Sequence, residues 1–272
     1  MRRLPVPKGP AVVQTATPEE LVNRLNQRFA SLESLTARVD LQASVLKSKE
    51  GVATDYTSVP GLIFMRKPEM LRVYGMVPVI RTRLFDMVSD GKEFTLYIPS
   101  KNKAMRGSNA VRKRSANQLE NLRPGFFLDA LVVRGLEPND LYSVTADEDM
   151  VEDAAKKHLS SVPEYILSIY RRKPDSQKLA PVRVVHFHRE DLLPYQQDLY
   201  DSEGNLETEV FYAQFGEFGT SKYPSVVTIK RPLEDIRIVL TVQDVKENQD
   251  PPLTDDQFQI NIPEGTEIQK LE

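Results

Sequence analysis

The side chains that could do chemistry are few, and their spacing restricts what they could do. His186 and His188 flank Phe187, so on an extended segment both imidazoles point the same way. Two imidazoles can begin a metal site, but a complete one needs three or four ligands. His158 is the only other histidine, and no carboxylate spacing completes a set, so no metal is expected. The absence of cysteine excludes disulfides, thiolate metal sites and thiol catalysis. Acidic neighbours such as Glu190–Asp191 and Asp255–Asp256 are abundant, yet nothing marks one member as acid and the other as base. There is no Gly-x-Ser-x-Gly elbow, phosphate loop or dinucleotide fingerprint. The expectation is a protein without catalytic residues or cofactor.

Charge supplies one further group. Between Phe94 and Leu119 stand Lys101, Lys103, Arg106, Arg112, Lys113 and Arg114, with no acidic residue among them. A solvated loop is the plain reading. The functional one is contact with anionic head groups or an acidic partner, at about 1 kcal/mol per charge near a membrane surface. Over the whole chain, 36 basic and 39 acidic residues leave a net charge of −3, which argues against a general nucleic-acid binder. A mean hydropathy of −0.41 is that of a water-soluble chain, and no stretch approaches the run of about 18 apolar residues that a membrane span needs.

The elements that position these residues follow from periodicity. Thr17-Pro-Glu-Glu20 can cap and charge a helix start. Leu21, Val22, Leu25 and Phe29 then form one apolar stripe, predicting a helix over 18–31. Alternation predicts strands near 34–47, 55–66, 70–76, 80–89, 92–99 and 102–106. Further strands are expected near 141–146, 164–172, 181–190, 194–201, 206–214, 223–231 and 235–245, and a capped turn at 254–257 before a last strand. Lys67-Pro68, Val77-Pro78 and Asp90-Gly91 mark corners. Phe126, Phe127, Leu128, Leu131 and Val132 break the β rhythm with a short helix at 124–133, apolar nearly all round, which must be a core helix or a plug.

In the meander, period two gathers Ile63, Met65, Leu71, Val73, Phe85, Met87, Phe94 and Leu96 as the apolar positions. Met and Phe there suit a shapeless ligand. The alternative is a face filled completely by helices.

The order of these pieces carries a resemblance. Gly61-Leu-Ile-Phe-Met-Arg-Lys-Pro68, Glu-Met-Leu-Arg-Val-Tyr74, Val88-Ser-Asp-Gly-Lys92 and Phe94-Thr-Leu-Tyr-Ile-Pro99 resemble the periplasmic carriers and receptors of outer-membrane lipoproteins, the LolA/LolB-like family. The Ser34-Leu-Thr-Ala37 corner and the closing Phe258-Gln-Ile-Asn-Ile-Pro-Glu-Gly265, similar to that family's final strand, extend the likeness.

The resemblance implies a mainly β (α+β) fold. A single curved antiparallel sheet would form an open half-barrel, closed by the N-terminal helix and short lid or plug helices. Residues 1–16 would be a flexible tether and 17–272 one domain. It further implies non-catalytic binding of acyl chains of lipoproteins or phospholipids by a monomer, with no nucleic acid, in transport toward the outer membrane. An envelope lipid or lipoprotein sensor on the same fold is the alternative. The cavity would be lined by Leu25, Phe29, Ile63, Met65, Leu71, Val73, Phe85, Met87, Phe94, Leu96, Phe126, Phe127 and Leu131. Lys67 stands where the family's arginine looks able to latch the lid, and lysine lacks that planar fork of donors. A periplasmic location is expected, with an export signal and a lipidated N-terminus upstream of Met1.

Overall fold

The computed structural model describes residues 12–47, 52–109, 123–153, 158–173, 176–219 and 221–271. Helix α1 (Pro18–Ser31) begins with a reciprocal cap. The Glu20 amide donates to the Thr17 hydroxyl at 3.2 Å, and the Thr17 amide donates to the Glu20 carboxylate at 2.7 Å. The stripe Leu21, Val22 and Leu25 is buried.

The chain then enters β1 (Ser34–Lys47), β2 (Val52–Asp55), β3 (Val59–Arg66), β4 (Met70–Met76), β5 (Arg83–Ser89), β6 (Glu93–Ile98) and β7 (Lys103–Ser108). Helix α2 (Gly125–Leu131) interrupts the strands. They resume as β8 (Leu141–Asp153), β9 (His158–Arg172), β10 (Leu179–His188), β11 (Pro194–Tyr200), β12 (Leu206–Phe218), β13 (Ser221–Arg231) and β14 (Ile236–Glu247). A 3-10 turn at Asp255–Phe258 and β15 (Glu267–Leu271) close the chain.

Local chemistry fixes the connections. Between β5 and β6 the Asp90 carboxylate accepts the Lys92 and Glu93 amides at 2.9 and 2.8 Å, and Gly91 takes φ +91°. The 3-10 turn is capped by Thr254, whose amide and hydroxyl both donate to the Gln257 carboxamide oxygen at 2.7 Å.

Hydrogen bonding orders the strands β15-β7-β6-β5-β4-β3-β1-β14-β13-β12-β11-β10-β9-β8, with β2 on β1. The half-barrel expectation is corrected here. The sheet is mixed, because β15 runs parallel to β7, and it is neither closed into a barrel nor strongly curled. Alternation and turn residues are local signals that identify strands and hairpins. Curl and closure depend on stagger, bulges and tilt summed over many strands, which no short motif encodes. The final strand is corrected too. Residues 259–266 form no strand, and β15 pairs in parallel with β7 from far along the chain, a contact that alternation cannot announce.

The chain divides into two compact units, Met1–Arg28 with Arg134–Phe211, and Phe29–Val133 with Tyr212–Glu272. In the first, Tyr165, Leu167, Ile169, Val185, Phe187 and Val210 form the buried strand face. The Ala16 amide donates to the Tyr165 hydroxyl at 3.3 Å, and the Gln14 amide to the Arg189 carbonyl at 2.7 Å. The second unit holds the meander and α2.

Candidate functional site

Strand register decides which side chains of the meander stand together. Met65 faces Leu71 and Ile63 faces Val73. Val73 faces Met87, and Gly75 faces Phe85. Met87 faces Leu96, and Ser89 faces Phe94. All eight sequence-predicted meander residues therefore lie on one sheet face, which Ala37, Val39 and Leu41 of β1 and Leu240 and Val242 of β14 continue. Gly75 is required in this row, because a Cβ there would come within 2.5 Å of the Phe85 ring.

That face is covered. Ile63, Met65, Leu71 and Val73 are 0–1% exposed, Met87 and Phe94 are buried, and Phe85 and Leu96 are half-buried. In α2, Phe126, Phe127, Leu128, Ala130 and Leu131 are all buried, and the helix packs against β13. Phe126 and Phe127 stack at 4.3 Å. The Arg123 guanidinium, just ahead of α2, lies 5.4 Å above the Phe94 ring, and Arg231 lies 5.6 Å from Phe126.

Two tyrosines grip the end of α2. The Tyr212 hydroxyl donates to the Ala130 carbonyl at 2.9 Å, and the Tyr223 hydroxyl donates to the Leu131 carbonyl at 2.8 Å. They occupy carbonyls that a helix C-terminus otherwise leaves without intrahelical partners. Sequence reasoning missed both, along with Arg123, since β12 and β13 read only as alternating strands. A tyrosine at a buried strand position, obliged to find a partner for its hydroxyl, was the available signal.

Leu25 is buried within the first unit, and Phe29 is half-buried at the end of α1. The Lys67 ammonium donates to the Phe29 carbonyl and sits 4.0 Å from the Phe29 ring centroid. Of the basic run, Lys101 and Arg106 are exposed, and Lys103 faces Glu267 across the β7–β15 pair at 3.6 Å. Arg112, Lys113 and Arg114 lie outside the described residues.

The reverse face of the same strands carries a charged cluster beside Leu62, Phe64 and Tyr74. Arg72 holds Asp86 through two bonds, Nε to Oδ1 at 2.9 Å and Nη2 to Oδ2 at 2.7 Å, and Arg83 adds a third. Arg72 also donates to the Gln257 carbonyl at 3.0 Å, and Arg66 to the Leu253 carbonyl at 2.9 Å and the Asp255 carboxylate. These bonds strap residues 253–258 onto β3 and β4. Burial pushes the Tyr74 hydroxyl above its ordinary pKa, while Arg83 and Arg72 pull it the other way.

The β4–β5 connection was expected to be strand from residue 80, but residues 77–82 form a protruding turn. Val79 is 96% exposed and Ile80 67%. Val79 and Arg81 take φ of +70° and +54°, and a β-branched residue there is strained.

His186 and His188 do lie on one strand face of the first unit. The His186 Nδ1 is 2.9 Å from the Glu164 carboxylate, which also accepts the Tyr195 hydroxyl at 2.5 Å. His188 stacks on the Tyr195 ring at 4.0 Å, and burial holds its pKa below the ordinary imidazole value. Among the described residues no group of three His, Asp or Glu side chains is placed to hold a metal.

The fold resembles that of the LolA/LolB-type lipoprotein-carrier superfamily, at low sequence identity. A DUF1329 family protein from Desulfovibrio piger superposes with a TM-score of 0.53 at 15% identity, over 88% of this chain and 94% of its own. A LolA superfamily protein from Nitrosomonas europaea gives 0.53 at 13%, over 90% and 99%. An outer-membrane lipoprotein-sorting protein domain from Vibrio parahaemolyticus gives 0.51 at 10%, over 88% and 95%. At these identities the likeness establishes the fold. No family model matches the chain, and no curated protein matches it by sequence.

Proposed function

We propose that this protein is a non-catalytic, periplasmic binder of acyl chains that carries or receives lipoproteins or lipids bound for the outer membrane. One observation carries the reading: a seven-residue helix with five buried apolar residues covers an apolar sheet face and is gripped at its end by neutral hydroxyls. Exposing four large side chains of such a helix to water costs about 6–12 kcal/mol, at roughly 1.5–3 kcal/mol each. An acyl chain of about fifteen carbons gains about 12 kcal/mol on leaving water. The cover therefore stays shut against water and is exchangeable for hydrocarbon. No helix among the described residues is long and apolar enough to cross a membrane. The Val79–Ile80 tip, with Arg81 beside it, suits shallow contact with a bilayer better than the partly paired Lys101–Arg106 segment does.

Native mass spectrometry of protein prepared without detergent tests the binding. Added phospholipid or fatty acid is expected to appear as bound mass. A spectrum that stays lipid-free after the challenge overturns the proposal. The tip is tested separately with Ile80→Trp, which gives this tryptophan-free chain a single indole. Its emission is expected to shift blue on mixing with anionic vesicles.

A further inference from the structure

The far end of the strand order from β15 is β8, and it differs from an ordinary sheet edge. Exposed edges are commonly blunted by shortness, proline, lysine or a bulge. β8 runs for 13 residues and, among the described residues, pairs with β9 alone, without a register shift, from Leu141↔Tyr170 to Asp153↔His158. Its sequence, Leu-Tyr-Ser-Val-Thr-Ala-Asp-Glu-Asp-Met-Val-Glu-Asp, has no proline and no lysine. β15, by contrast, spans 5 residues and contains Lys270. Leu141 is 46% exposed and Tyr142 39%, and residues 145–148 are exposed. The Glu148 amide is occupied by the neighbouring Asp147 carboxylate at 2.8 Å, a local side-chain bond that an incoming carbonyl can replace.

We infer that the free edge of β8 receives an extended, lysine- or arginine-bearing polypeptide segment by strand addition. Backbone hydrogen bonds supply the attachment, and charge supplies the selection. Asp147 and Glu148 are exposed, and the sequence of β8 has five acidic residues and no lysine or arginine. A second copy of β8 laid antiparallel about Asp147 would set carboxylate against carboxylate, which disfavours self-pairing. A basic strand meets no such conflict. An antiparallel segment would leave β8 by its C-terminal end at Leu141. There a groove of about 850 Å³, lined by Asp140, Leu141, Arg171, Arg172, Lys173 and Gln177 among others, provides room for a chain end. Arg171 is held by Asp140, while Arg172 bonds the Gln177 carboxamide and Lys173 stands 4.0 Å from Glu203, leaving both able to meet an incoming carboxylate.

The test uses the full chain and a nine-residue peptide alternating Lys and Thr, in three forms: unmodified, and N-methylated at one or the other alternate set of amides. Methylation keeps the charge and removes hydrogen-bond donors from one strand edge only. The unmodified peptide is expected to bind at low salt and to slow hydrogen exchange at β8 amides. One methylated form is expected to bind about tenfold or more weakly, since backbone bonds are lost, while the other binds like the parent. A Glu/Thr peptide should not bind. No binding by the lysine peptide overturns the proposal. So does equal binding by all three forms, which would mean charge adsorption alone, and so does binding that leaves β8 amide exchange unchanged. None of these outcomes bears on acyl-chain binding, whose test is the bound mass.

Discussion

The sheet of the second unit carries two covers, α2 against β13 and residues 253–258 against β3 and β4, and they are fastened by different forces. On the apolar side, buried Phe126, Phe127, Leu128 and Leu131 of α2 cover the unit's apolar sheet face, and its terminal carbonyls are held by tyrosine hydroxyls. On the reverse side, residues 253–258 are held by Arg66 and by Arg72, the latter locked to Asp86. A neutral hydrogen bond contributes about 0.5–1.5 kcal/mol net. Stripping one partner from a buried ion pair costs about 3–5 kcal/mol. Apolar contact can be exchanged for any other hydrocarbon, whereas a carboxylate between two guanidiniums has no substitute. On the proposed reading one cover is there to be replaced and the other to stay.

The largest expected effect breaks the permanent side. Asp86 is 0% exposed, and Asp86→Ala leaves Arg72 and Arg83 without their shared carboxylate. Urea unfolding is expected to show a loss of about 3–5 kcal/mol. Acyl-chain binding by the folded fraction should be unchanged. A loss below about 1 kcal/mol would mean that the cluster fastens nothing, since that is what exposed pairs are worth.

The second effect sharpens the exchangeable side. Tyr212→Phe with Tyr223→Phe leaves the Ala130 and Leu131 carbonyls without those donors and is expected to destabilise the protein by about 2 kcal/mol. A cover that is easier to lift has a larger open population, so fatty-acid affinity should rise by about tenfold. Calorimetric titration measures this directly, and unchanged or weaker binding would show that α2 is core rather than cover.

Third is Lys67, whose ammonium bonds the Phe29 carbonyl and sits over its ring. Lys67→Met is expected to cost about 1–2 kcal/mol in the same unfolding assay, less than a charged hydrogen bond and a cation–π contact would total if dry, because the half-buried ammonium is partly hydrated. Lys67→Arg should restore most of it.

Much of this contrast was legible in the sequence, and the reasons are physical. The apolar row from Ile63 to Leu96 is visible because side chains alternate strictly along a strand, and hairpin residues such as Asp90-Gly91 fix which strands are neighbours. Helix α2 stood out as a run of apolar residues without strand rhythm. What stayed hidden depends on partners far along the chain. Tyr212 and Tyr223 lie more than 80 residues from the carbonyls they hold. Gln257 is 185 residues from Arg72, and β15 reaches β7 across most of the chain. The lack of closure is likewise a property of all the strands together. Ile80 was read as the start of a strand because β-branched residues normally are, whereas residues 77–82 form a turn with positive φ at Val79 and Arg81.

The smallest effect lies at the hairpin between β5 and β6. The Glu93 and Lys92 amides hold the Asp90 carboxyl below the ordinary carboxylate range. A group depressed in the folded state contributes stability that is complete above its unfolded pKa and is lost as pH falls through its folded one. Acidification should therefore remove the Asp90 contribution, while carboxamide Asp90→Asn keeps an acceptor for both amides and has no proton to gain. The variant should be slightly less stable than the parent near neutrality and fall less steeply below the usual carboxylate pKa, with the two curves converging in acid. Because the site is exposed, the difference should also shrink with added salt. Parallel curves throughout the acid range would assign the turn's stability to Gly91 and its φ of +91° instead of the carboxylate.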